Sequence, residues 1–322
     1  MQELAGYTLF LEKEIEKLDF PSSPSNLYEP LRYFMTLGGK RMRPILTLLG
    51  AELFGEKIEN ALPAALAVEV FHNFTLIHDD IMDEAPKRRN QQTVHTKWNR
   101  NIAILSGDVL FVKGFQLLAK QKSEHLPSLL DLFNTTAIEV CEGQQLDMDF
   151  ETRQNVSIPE YIEMIRLKTS VLLGCALEMG AIVANAEKED RSFLYDFGQH
   201  IGIAFQIQDD ILDLYADPKK FGKQVGGDVI SNKKTLLNLK AFDMADRSQR
   251  VILEELALEK DAVLKVQKTR ELYNLIGVRS ACEAHMQVHY SHATESLSNV
   301  NLPKETKLPL IALADFLMNR DI

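Results

Sequence analysis

Two stretches of the chain carry three aspartates at one spacing, Asp79-Asp80-Ile-Met-Asp83 and Asp209-Asp210-Ile-Leu-Asp213. On a helix, residues three and four apart share a face, so each set projects as a single carboxylate patch. Val68, His72, Thr75 and Asp79 continue the first patch along a stripe of apolar and small neighbours, which turns it inward. Stacked like charges repel by a few tenths of a kcal/mol even on an exposed helix, and burying ionised carboxylates uncompensated costs several. A divalent cation removes that penalty. All-oxygen ligation suits Mg²⁺, which keeps several waters and completes its shell with phosphate oxygens. The aspartates therefore point to a phosphorylated substrate.

Cations stand near both patches in sequence. Gly38-Gly39-Lys40-Arg41-Met42-Arg43-Pro44 places three of them behind a Gly-Gly turn, with Pro44 suited to the first turn of a helix. Lys87-Arg88-Arg89 follows the first patch, and arginine's planar fork matches phosphate oxygens. Lys223, Asp228 and Lys233-Lys234-Thr235 follow the second, in a glycine-bearing loop. Taken alone, Lys168 reads as a solvent-facing charge and His72 as a satisfied core histidine.

The elements that must position these groups are helices. Apolar residues recur at helical spacing, as in Leu9, Leu11, Ile15 and Leu18 or Ile252, Leu256, Val263 and Val266, and alternating strand patterns are scarce. Proline and glycine divide the chain into helical segments of about ten to thirty residues. One of these runs from near Pro63 to the first patch and is ended by Pro86. No Gly-, Ser- or Pro-rich linker interrupts, so the expectation is an all-α bundle forming one domain over residues 1–322.

Composition narrows the function classes. The 322 residues carry a net charge of −10 without a long basic run, which argues against a nucleic-acid face. The longest apolar candidate, Ala61 to Phe71, contains Glu69 and is shorter than the ~18 residues of a membrane span. The first residues lack the basic and apolar regions of a secretory signal. The three cysteines, Cys141, Cys175 and Cys282, are far apart and expected to be buried and reduced. Together these features read as a cytoplasmic protein.

In order, GGKRMRP, HNFTLIHDDIMD, KRR, GQQLD (Gly143 to Asp147), LKT, FQIQDDILD, FGK and GGDVISNKKT resemble the trans-isoprenyl diphosphate synthase family, over nearly the whole chain. The resemblance is to short-chain members that make farnesyl or geranylgeranyl diphosphate. It implies an all-α bundle around a central cavity, usually a homodimer, acting on isopentenyl diphosphate and an allylic diphosphate with three Mg²⁺ ions. By match of motif, Asp79 and Asp83, supported by Asp80, correspond to ligands of two ions, and Asp209, with Asp210 and Asp213, to the site of a third. Arg88, Lys168, Thr169, Gln206, Lys223 and Lys233 correspond to groups around the allylic diphosphate. Lys40, Arg43, His72 and Arg89 correspond to the isopentenyl diphosphate site. One departure is Asn90, where the family usually has glycine; asparagine tolerates left-handed backbone better than most residues.

The implied reaction ionises the allylic C–O bond, and the carbocation is attacked by the double bond of isopentenyl diphosphate. Product length is then set by side chains upstream of the first patch. Phe74, five residues before Asp79, is aromatic as in the short-chain enzymes, whereas Thr75 is not, a pairing that favours geranylgeranyl over farnesyl diphosphate. Phe71 is the next stop one turn away. Two rivals share the fold. A terpene cyclase would need a different second metal motif and no GGKRMRP, and a non-catalytic subunit of a heteromeric synthase would lose metal ligands.

Overall fold

The computed structural model describes residues 2–216 and 225–318, and helices account for nearly all of its regular structure. The first four are α1 (Gln2–Glu16), α2 (Ser25–Met35), α3 (Met42–Glu52) and α4 (Ile58–Met82). A two-strand hairpin, β1 (Lys87–Arg88) and β2 (Gln91–Gln92), leads to α5 (Val94–Lys97), α6 (Arg100–Leu118) and α7 (Leu126–Thr152). Next come α8 (Ile158–Ile165), a π-helical turn (Arg166–Ser170), α9 (Val171–Val183) and α10 (Lys188–Tyr215). The remainder comprises α11 (Gly227–Ile230), α12 (Leu236–Met244), α13 (Arg247–Leu258), α14 (Ala262–Ile276), α15 (Val278–Asn299) and α16 (Lys304–Met318). The all-α expectation holds.

Backbone contacts group the chain into two compact units, Met1–Thr135 with Cys175–Tyr195 and Thr136–Gly174 with Asp196–Ile322. In the first, α4 packs against α3 and α6. Its core includes Leu31, Phe34, Leu48, Phe71, Leu110 and Phe133, each at most 1% exposed. In the second, Phe150, Tyr161, Ile203, Ile207, Leu236 and Tyr273 belong to one apolar cluster.

Local details refine the expected boundaries. Helix α4 starts at Ile58, ahead of Pro63, which it accommodates inside the helix. Its stop precedes Pro86. Glu84 turns left-handed (φ 50°), the Glu84 N–H donates to Ile81 O at 3.4 Å and the Ala85 N–H to Asp80 O at 3.0 Å. That is the double closure of a Schellman motif, made here without glycine. Two-residue strands are too short to show alternation, so the hairpin escaped the sequence reading. Lys87 pairs with Gln92 and Arg88 with Gln91, leaving Arg89 (φ 51°) and Asn90 (φ 62°) as a two-residue turn with both φ positive. Such a turn favours asparagine or glycine, so Asn90 suits its place.

Two expectations need correction. Helix α6 is long and apolar enough by length and composition to be a membrane-span candidate, which Ala61 to Phe71 is not. Asp108 and Lys113 lie within it, and Ala103, Ser106, Gly107, Leu110, Gly114 and Leu117 form its buried face. Cys175 and Cys282 are buried as expected, but Cys141 is exposed because it sits on the outer side of α7.

Candidate active site

The first aspartate patch closes α4. Burial fades along its stripe, from fully buried Val68 to half-buried His72, Thr75 and Asp79, and Asp83 is exposed at the helix end. Asp80 behaves differently. It is 1% exposed, and Arg88 donates from Nε and Nη2 to its Oδ1, both at 2.8 Å. Burial raises the Asp80 carboxyl above its usual range, opposed by Arg88, and its buried Oδ2 has no hydrogen-bond partner. The hairpin thus brings Arg88 onto the patch it follows in sequence.

The cations of the Gly-Gly turn divide between two tasks. Arg41, in the left-handed region before α3, is buried; it donates to Glu69 and, at 2.8 Å, to Met35 O. Asn73 Nδ2 also donates to Glu69, at 2.9 Å. Arg41 therefore anchors the loop, a role the sequence reading missed although Glu69 interrupts an apolar run and calls for a cation. Arg43 Nη1 lies 3.0 Å from His72 Nε2. Burial lowers Arg43 to about 10, while Glu69 and Asp79 act in the opposite sense. Burial, then Arg43, Arg89, Arg88 and Arg41, hold His72 well below the usual histidine range, so it is neutral and accepts from Arg43. Arg43 Nε is buried without a hydrogen-bond partner. Arg89 reaches back to donate to Gly38 O, and a side chain at Gly39 would meet its guanidinium at 2.7 Å. Lys40 is exposed. Arg43 and Arg89, whose burial costs are only partly offset, stand beside a neutral histidine and suit a multiply charged anion.

The second patch lies on α10 in the other unit. Asp210 is 4% exposed and accepts from the Tyr161 hydroxyl, from Gln206 Nε2 at 3.3 Å and from the Leu236 N–H at 3.4 Å. Burial, reinforced by Asp228, raises it to about 7. Asp209 and Asp213 are half-buried, and Asp213 accepts the Asp228 N–H at 3.0 Å. In both patches the second aspartate is the buried one and is held by a protein donor. The first and last are the less buried pair.

Lys168 and Thr169 lie on the π-helical turn, a wider backbone form concentrated at functional sites. Lys168 Nζ is 2.5 Å from Asp147 Oδ2, Lys233 Nζ is 3.8 Å from the same oxygen, and Thr169 donates to Gln206 Oε1 at 3.4 Å. Burial would raise Asp147, but Lys233 and Lys168 outweigh it and hold the carboxyl below its usual range. Two glycines let the turn fit: a Cβ at Gly143 would stand 2.2 Å from Lys168 N, and one at Gly202 2.7 Å from Ser170 Cα. Asp147 and Tyr161 are the partners that sequence missed; GQQLD contained the first, but nothing local pairs it with Lys168. Lys223 lies outside the described residues.

The product-length residues sit in an aromatic cluster of the first unit. The Phe74 ring lies 5.6 Å from Phe71, 5.1 Å from Phe111 and 4.7 Å from His78, centroid to centroid. Phe71 is 1% exposed, whereas Phe74 is half-buried. The Thr75 hydroxyl donates to His72 O at 2.8 Å, leaving its methyl rather than a ring at that position.

Comparison with known proteins places the chain in a family. The family profile described as Polyprenyl synthetase matches residues 24–276. A geranylgeranyl diphosphate synthase of Methanosarcina mazei is 37% identical over 323 aligned residues, covering 100% of this chain and 98% of that protein. A geranylfarnesyl diphosphate synthase of Natronomonas pharaonis is 41% identical over 239 residues, 68% of this chain and 70% of that one. A crystal structure of a geranylgeranyl pyrophosphate synthase superposes with a TM-score of 0.93 at 41% identity, covering 99% and 98% of the two chains.

Proposed function

Because this chain belongs to the polyprenyl synthetase family, we propose that it condenses isopentenyl diphosphate with an allylic diphosphate to form geranylgeranyl diphosphate. The observation that carries the reading is the placing of Arg43 and Arg89 around neutral His72, with Arg43 in the field of Asp79. A cyclase handling one diphosphate has no use for this second anion site. Product length follows from Phe74 beside non-aromatic Thr75 and from the name of the Methanosarcina relative. The Natronomonas relative, named for a longer product, makes length the property to measure.

The donor set fits Mg²⁺: carboxylate oxygens only, with the Asp80 oxygen left over from Arg88 buried and unpartnered. Asp79 and Asp83 would hold two ions and Asp209 with Asp213 a third, Asp80 and Asp210 supporting. Mg²⁺, when bound, supplies positive charge to the departing diphosphate. Lys168, Lys233 and Arg88, with Lys223, Thr169 and Gln206, orient the allylic diphosphate and stabilise its developing charge as the C–O electron pair leaves with oxygen. Lys40, Arg43, His72 and Arg89 hold isopentenyl diphosphate. Its double bond attacks the allylic cation, and the departed diphosphate takes the proton. We further propose a cytoplasmic homodimer, since Ile104, Leu105 and Val112 on α6 are 39, 58 and 56% exposed and suit a second copy.

The test is incubation with isopentenyl diphosphate, each allylic primer and Mg²⁺, followed by chromatography of the dephosphorylated products. Twenty-carbon product is expected, with turnover of Asp79→Ala lowered roughly 10²–10³-fold or more. A cyclised hydrocarbon, or undiminished turnover in folded Asp79→Ala, would overturn the reading.

A further inference from the structure

Histidines are unevenly distributed in this molecule. Of eight, four (His200, His285, His289 and His292) gather on α10 and α15 within the second unit. His289 and His292, three apart on α15, share a face toward which α10 presents His200. His200 Nδ1 and His289 Nδ1 are 3.1 Å apart, and one ring nitrogen each from His200, His289 and His292 falls within 4.8 Å of the others. Helix packing alone does not require three imidazole nitrogens to converge.

From this convergence we propose that His200, His289 and His292 form a site for a transition-metal dication of the Zn²⁺, Ni²⁺ or Cu²⁺ class. Neutral imidazole is the ligating form, and burial together with the neighbouring rings lowers His289 to about 4 and lowers His200 as well, so both are neutral at neutral pH; the ring that donates in the Nδ1–Nδ1 hydrogen bond shifts that proton to its Nε2 when the cation binds. Imidazole suits these metals, whereas Mg²⁺ prefers oxygen, so the site is chemically distinct from the aspartate patches. Three protein ligands leave a fourth position for water. The charged neighbours are Asp196, which acts on His200 from one turn away on α10, and Lys240 of α12, which acts on His285. His200 stands nine residues before Asp209 on α10, roughly 13 Å along the axis, so the cation clamps α10 to α15 and takes no part in the diphosphate chemistry.

The experiment uses untagged full-length protein, stripped with chelator and titrated with Zn²⁺ in excess Mg²⁺, reading bound Zn²⁺ and melting temperature. One Zn²⁺ per chain and a raised melting temperature are expected. His289→Gln and, separately, exposed His292→Gln should each weaken binding at least roughly tenfold, the size seen even for loss of an outer partner. His285→Gln and Asp79→Ala should leave it unchanged. Absence of Zn²⁺ binding, binding indifferent to His292→Gln, or binding abolished by Asp79→Ala would overturn the proposal.

Discussion

His72 shows what a single side chain contributes to the basic cluster. As a neutral acceptor it takes a hydrogen bond from Arg43 without adding to the positive charge. Its folded-state pKa is depressed, so as pH falls through about 6.5 the unfolded chain takes up a proton that the folded protein refuses, and stability declines. His72→Gln should flatten that decline by no more than about 1.4 kcal/mol per pH unit, measured as the wild-type minus variant difference in denaturant unfolding between pH 7.5 and 5.5. An identical slope in both proteins would mean that His72 is not held neutral. Phe74 carries the other residue-level prediction. Truncation to Ala removes a half-buried ring from a cluster that keeps Phe71, Phe111 and Phe133, so the fold should survive while products lengthen beyond twenty carbons on reverse-phase chromatography. An unchanged distribution from an active variant would move the stop to Phe71.

Among the elements, the π-helical turn is tightly constrained. Gly143 leaves no room for a methyl group against Lys168 N, so Gly143→Ala must push the turn away from α7. Overpacking of this kind costs about 1–3 kcal/mol, and the displaced Lys168 should lose its place beside Asp147. Lower turnover together with a lower melting temperature is expected; a fall in melting temperature at full turnover would free Lys168 of any role in the reaction. The legibility of these elements tracks the distance over which their causes act. The aspartate patches were readable because a helix brings residues three and four apart together. The Lys168–Asp147 and Tyr161–Asp210 pairs were not, because packing brings together residues 21 and 49 positions apart. The hairpin at Lys87–Gln92 left no alternation to read, although Asn90 is a turn residue. The four-histidine cluster was hidden for the same reason as the pairs, since His200 and His289 are 89 positions apart.

At the scale of the molecule, the net charge of −10 coexists with a cluster of arginines in one unit and paired lysines in the other. These basic groups are concentrated beside carboxylates, which a whole-chain charge conceals. The exposed apolar face of α6 sets the assembly prediction. Leu105→Glu combined with Val112→Glu places charges on a face already open to water, so each chain should still fold, but the mass in light scattering should halve relative to a wild-type dimer. A wild-type protein that is already monomeric would remove the homodimer from the reading.

The turn at Arg166–Ser170 also sets a phase. A π turn lodges an extra residue in the winding, so side chains beyond it are rotated by about 100° from where an uninterrupted α-helix starting at Ile158 would place them. Helix α8 buries one face, at Tyr161, Met164 and Ile165, whereas α9 is buried at every position from Val171 to Leu177, so the turn sets which neighbours that face meets. Deleting a single residue from this turn would restore regular winding while preserving nearly every residue type, yet it would swing Tyr161 and Met164 out of the core or turn the start of α9 against different neighbours. Here the sequence tolerates a change of side chain more readily than a change of length.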